Sequence, residues 1–111
     1  MSERDEALYL TDIVEAIDQI LAYTSAGRDV FFSDRMIQDA VVRNLEIIGE
    51  AVKGLSETTR QAHPEVPWKA IAGTRDRVIH GYFKVSIKIV CQIVEKELPM
   101  LRSQIAGLLS A

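Results

Sequence analysis

Apolar positions recur at spacings of three and four along most of this chain, which is the signature of amphipathic helices. Leu10, Ile13, Val14, Ile17, Ile20 and Leu21 form the first such stripe and predict a helix over about Glu6–Tyr23. Thr24-Ser25-Ala26-Gly27 should end it, with Gly27 as terminator, and a polar-aromatic connection containing Phe31 and Phe32 follows. Ser33 or Asp34 can cap a second helix by accepting a hydrogen bond from a free backbone N–H. Its main stripe is Ile37, Val41, Leu45, Ile48, Val52 and Leu55, widened by Met36, Ala40, Ile47 and Ala51. So wide an apolar face should meet more than one neighbour, either two helices of the same bundle or one of these and a second protomer. Ser56–Arg60 suggests a short helical turn. Pro67 is placed to open a third helix that should run to about Ile79 and stop near Gly81. A last helix, starting near Val85 or Ser86, carries Ile87, Val90, Val94, Leu98, Leu101, Ile105 and Leu108, and Pro99 should kink or restart it after Glu97. No strand-like alternation with hairpin turns is visible. The pattern predicts an all-α fold, an up-and-down bundle of four main helices.

Composition narrows this picture. The 111 residues suit one domain, 1–111, and the 48% apolar and 26% charged content is that of a globular chain. No apolar run approaches the roughly 20 residues that span a bilayer, so no membrane partner is expected. The N-terminal MSERDEALYL has charges of both signs and no apolar core, so the protein is expected to be cytoplasmic. The single cysteine, Cys91, excludes an internal disulfide and a cysteine-based zinc site, and reads as a small packed hydrophobe.

The net charge of −3 argues against generic nucleic-acid binding, but the charge is unevenly spread. From Trp68 to Lys88, Lys69, Arg75, Arg77, Lys84 and Lys88 stand against Asp76 alone, a net +4 that leaves −7 on the remainder. A local basic zone on an acidic body suits a phosphate-bearing ligand. Inside that zone lie Arg75, His80 and Tyr82. Histidine exchanges protons near neutral pH, and arginine holds a phosphate with parallel N–H donors. Together they suit phosphodiester cleavage. On a straight helix, however, Arg75 and His80 would lie about 140° apart. Either the helix ends and lets His80 turn, or a second copy of the motif completes the site. Arg77, three residues before His80, is a rival phosphate contact, and spacing does not choose between it and Arg75.

The pattern R-x-x-x-x-H-x-Y, read as Arg75, His80 and Tyr82, resembles the signature of HepT-type HEPN toxins. Pro67-Trp68, Ile71, Gly73, the run Val78–Phe83, and Arg43–Ala51 in the second helix extend the likeness to nearly the whole chain. The resemblance implies a homodimer whose two motifs face each other in a cleft. It implies RNA cleavage without a metal or other cofactor, with Arg75 and His80 as the catalytic pair. Asp76 stands where the family usually has a polar residue, often asparagine, that supports the site, and here it adds a negative charge. The implied partner is a small nucleotidyltransferase antitoxin of a toxin–antitoxin system, which can neutralise such toxins by transferring AMP to the motif tyrosine, here Tyr82.

Other readings attach to the same residues. Tyr82 can equally pack with its ring buried. His63, before Pro64, reads as structural and Trp68 as a core anchor. Glu46 and Glu50 share a helix face at a metal-binding spacing, but with no histidine near them they read as partners for bases such as Arg43. The alternative function is a non-catalytic, nucleotide-binding subunit of a nucleotidyltransferase, in which Arg75 and Tyr82 hold phosphate and base. A plain oligomerisation domain would explain the apolar seams but not the clustered Arg, His and Tyr.

Overall fold

The seven apolar positions of the C-terminal stripe are separated by alternating steps of three and four, except that Val90, Val94 and Leu98 are two consecutive steps of four. In an α-helix two such steps put Leu98 about 80° off the face of Val90. The computed structural model, which describes residues 3–80 and 84–110 and the side chains of these except Glu3, Arg4, Ile79, His80 and Lys84, shows how the chain corrects this. Helix α7 (Ile87–Gln92) passes into a π-helical turn, Ile93–Glu97, and then into α8 (Leu98–Ser110). The turn acts as one extra residue, about 100°, and returns Leu98 to the buried face. It also serves Pro99, whose ring would clash with the Glu95 carbonyl in a regular helix. Leu98 N–H donates to Ile93 O, five residues back. Val90, Ile93, Val94, Leu98, Leu101 and Ile105 are all buried as a result.

The other elements follow the apolar pattern closely. Helix α1 covers Glu3–Tyr23 and α3 covers Arg35–Gly54. Asp34 caps α3 by accepting the Ile37 N–H at 3.1 Å. Ile13, Ile17 and Ile20 of α1 have no solvent exposure, nor do Val41 and Val52 of α3, and the two helices share the largest contact in the fold. Helix α8 closes the other side of α1. The segment around Phe31 is not an irregular connection. It forms a short helix, α2 (Arg28–Ser33), and Gly27, with φ +104°, stands at its N-terminus rather than ending α1, which stops at Tyr23. Phe31 turns inward while Phe32 stays exposed. The outer stripe of α3 is only partly used: Ala51 is buried, but Met36 is 82% exposed.

Helix α4 (Glu57–Ala62) is capped by Ser56, whose Oγ accepts the Thr59 N–H at 3.2 Å. Trp68 is buried and its indole N–H donates to His63 O at 2.9 Å, so the tryptophan anchors the loop containing His63 as well as the core. Cys91 is buried, and burial pushes its thiol pKa up, which fits a packed and unreactive side chain.

The third helix departs from expectation. It divides at Gly73 into α5 (Trp68–Ala72) and α6 (Thr74–Val78), and it ends before Ile79. Ile79–His80 (β1) are extended and pair antiparallel with Lys84–Val85 (β2), Ile79 opposite Val85 and His80 opposite Lys84. The Val78 carbonyl, which a continued helix would have used internally, instead accepts Ser86 N–H at 2.6 Å. This two-residue ladder is the only strand pairing among the described residues, and the fold is helical. Among the described residues no helix is long and apolar enough to cross a membrane.

Three arginine–carboxylate pairs tie the C-terminal rod to the rest: Arg102 to Asp18 of α1, Glu95 to Arg28 of α2, and Glu97 to Arg77 of α6. Each arginine holds its partner's carboxyl below the usual carboxylate range, chiefly through the hydrogen bonds it donates. Depressed carboxyl pKa values add stability that is complete above the unfolded-state values, near pH 4, and is lost as pH falls through the folded-state values. Urea midpoints should therefore fall between about pH 5 and pH 3, and the fall should shrink in a triple Asp18→Asn, Glu95→Gln, Glu97→Gln variant. Ile17→Ala should cost about 2–5 kcal/mol in urea unfolding, because it opens a cavity in the α1–α3 seam.

Candidate active-site cleft

Local packing decides which way the α6 side chains point. Thr74 and Val78 are four residues apart and both buried, and Thr74 Oγ1 donates to Ala70 O at 3.3 Å. With that face turned inward, Arg75 and Asp76 are exposed. Gly73 makes the bend: its N–H closes α5 on Lys69 O at 3.0 Å, and its own carbonyl accepts Asp76 N–H at 3.0 Å to start α6.

The two candidate arginines thereby receive different surroundings. Arg77 is half-buried and makes a two-pronged pair with Glu97, 2.9 and 2.6 Å, on the π turn. Each group favours the charged form of the other: Arg77 is raised and Glu97 lowered from their ordinary values. Arg75 makes no ion pair among the described residues and lines an open cleft of about 380 Å³. Spacing left these two arginines equivalent; the structure places Arg77 in a structural tie and Arg75 on the cleft wall.

Helices α1, α3, α5 and α6 form that cleft, α1 contributing Tyr9 and Asp12, α3 contributing Arg43, Glu46, Glu50 and Lys53, and α6 contributing Arg75. The acids of α3 are partnered along the helix as the sequence suggests, Glu46 with Arg43 at 3.8 Å and Glu50 with Lys53 at 3.6 Å. A second, shallower hollow shares Arg43 and Glu46 with the first and reaches Val85. Since Val85 pairs with Ile79, the second hollow borders the root of the β1–β2 ladder that carries His80. The His80 backbone is thus placed, in an extended segment beyond the end of α6, so the 140° separation on a straight helix does not apply. The His80 side chain and Gly81, Tyr82 and Phe83 lie outside the described residues, and with them the expectation for Tyr82. Among the described residues no group of three or more His, Cys, Asp or Glu side chains is arranged to hold a metal ion.

Arg43 and Tyr9 were not singled out as cleft residues from the sequence. Arg43 lies outside the basic zone, and Tyr9 lies on the first helix, some 66 positions from Arg75 in the chain. Only the packing of α1 and α6 against α3 brings them together.

The chain belongs to a ribonuclease family. The family described as Ribonuclease HepT-like matches residues 13–108, a span that includes Arg75, His80 and Tyr82. Among curated relatives, the probable ribonuclease HepT of Thermococcus cleftensis is 39% identical over 106 residues, covering 92% of this chain and 94% of that protein. A Methanocaldococcus jannaschii protein named "Gamma-glutamylcyclotransferase and putative RNase" is 40% identical over 103 residues, 92% of this chain but only 46% of that longer protein. A "Putative RNase" of Caldanaerobacter subterraneus subsp. tengcongensis is 48% identical over 79 residues, 71% of this chain and 70% of that one. No solved structure matches the chain at comparable significance.

The different settings of the two arginines give a direct test. Arg77→Ala should lower stability by up to about 1 kcal/mol through loss of its exposed pair. Arg75→Ala should leave stability within about 0.5 kcal/mol of the parent. Urea unfolding of both variants checks the order, and a larger loss for Arg75→Ala would contradict this assignment.

Proposed function

We propose that this chain is the toxin of a toxin–antitoxin pair, a metal-independent endoribonuclease that works as a homodimer in the cytoplasm. The observation that carries the reading is the family match, which runs through both Arg75 and His80. The exposure of Arg75 on the cleft, against the engagement of Arg77 by Glu97, supports Arg75 as the phosphate-binding partner of His80.

In this mechanism His80 accepts the proton of a ribose 2′-OH, whose oxygen attacks the adjacent phosphorus. Arg75 holds the phosphoryl oxygens as negative charge builds on them. The P–O5′ bond breaks, and the leaving 5′-oxygen takes a proton from the His80 of a second protomer. The products are a 2′,3′-cyclic phosphate and a 5′-OH. Asp76, exposed beside Arg75, would tune the charge there. The antitoxin is proposed to be a nucleotidyltransferase that silences the chain by transferring AMP to Tyr82.

Purified protein in EDTA should cleave RNA and leave cyclic phosphate ends. Arg75→Ala and His80→Ala should each slow cleavage by about 100-fold or more, the scale on which a positioned acid–base group acts. Co-expression with the neighbouring nucleotidyltransferase should raise the intact mass by whole AMP units, and Tyr82→Phe should abolish the increase. A folded, unmodified dimer that binds nucleotide and leaves total cellular RNA intact would favour the non-catalytic binding subunit instead.

A further inference from the structure

Six charged side chains line the main cleft, three acids (Asp12, Glu46, Glu50) and three bases (Arg43, Lys53, Arg75), so it carries no net formal charge. A polyanion drawn there gains little from the overall field, and the two acids of α3 already occupy Arg43 and Lys53 in part. A charge-independent contact is needed to retain it, and the aromatic ring on the wall is Tyr9.

Two features fix that ring. The first is Gly54, the last residue of α3. A Cβ at that position would lie 2.6 Å from both Cε1 and Cζ of Tyr9, so the ring is seated directly over the bare glycine backbone. The second is Glu6, three residues before Tyr9 on α1, whose Oε1 accepts the Ser56 N–H at 2.9 Å and clamps the start of α1 to the end of α3. Tyr9 is half-buried, packed against the core on one side and lining the cleft on the other. A ring held flat against backbone loses little freedom when a second planar group stacks on it.

We infer that Tyr9, seated on Gly54, is a stacking platform for an unpaired nucleobase, and that the cleft therefore selects single-stranded RNA. This rests on the ribonuclease reading above and adds the substrate class and a specificity residue to it. Arg75 takes the phosphate adjoining the stacked nucleotide. A base still paired in a duplex presents no free face to the ring.

The test is fluorescence anisotropy at fixed salt with three probes: a 2′-O-methyl oligoribonucleotide that cannot be cleaved, the same strand in a duplex, and the same backbone with abasic positions. The parent protein should prefer the single strand to both others. Tyr9→Leu, which keeps the apolar packing but removes the ring, should weaken single-strand binding by about 5- to 150-fold, the contribution of one stacked base. It should leave abasic binding unchanged. Gly54→Ala should do the same by displacing the ring, and Tyr9→Phe should bind like the parent. Equal binding of duplex and single strand, an unaffected Tyr9→Leu variant, or an equal loss on the abasic probe would overturn the inference while Arg75- and His80-dependent cleavage keeps the ribonuclease reading intact. A parent protein that neither cleaves RNA nor binds any probe overturns both.

Discussion

Ile13, Ile17 and Ile20 of α1 lie against the Val41–Leu45–Ile48–Val52 face of α3 with almost no water contact. Every part of the cleft hangs from that seam. It sets α1 alongside α3 so that Tyr9 reaches Gly54, and it leaves the opposite edge of α3 free for α5 and α6 to dock. Burial of branched side chains at close packing tolerates neither axial slip nor rotation. Arg43 on α3 and Arg75 on α6 are consequently both held on the lining of one cleft although both side chains are solvent-accessible. The rigid interior fixes positions that the exposed residues could not fix for themselves.

A second division of labour lies among the charges. Three arginines are spent on ties to the C-terminal rod, and two of the three matching carboxylates, Glu95 and Glu97, sit on the π turn. Exposed pairs of this kind contribute little stability each. Their effect is selective: by engaging Arg77, Glu97 leaves Arg75 as the α6 arginine open to a ligand. The nominal +4 of the segment around the motif is thus less than it looks in the folded chain.

Much of the fold was legible because its causes are local. The stripes of α1 and α3, the cap at Asp34, the start of the last helix at Ser86 and its restart at Leu98 before Pro99 all follow from periodicity and backbone chemistry. The break at Gly73 was not legible, since it depends on Thr74 and Val78 finding the core, nor was the end of α6, where Ser86 takes the Val78 carbonyl. Phe31 was expected in a connection and lies in a helix, because its burial supplies what a six-residue segment lacks in propensity. For the site, the Arg75–His80–Tyr82 pattern pointed to the family, while the pairing of Arg77 with Glu97 and the seat of Tyr9 on Gly54 are long-range contacts with no sequence signal of their own.

The π turn also makes the C-terminal rod a register-keeping device. Its extra residue belongs to neither helix, yet every position after it is counted from it. If the same residues wound through as plain α-helix, without the π turn, α8 would turn by about 100° relative to α7. Leu101 and Ile105 would swing from the interior toward water, and Arg102 would leave Asp18. Deleting one residue from the stretch would instead remove the turn and leave the two helices in register as one continuous rod, so the turn marks a place where the chain carries one residue more than its helix needs.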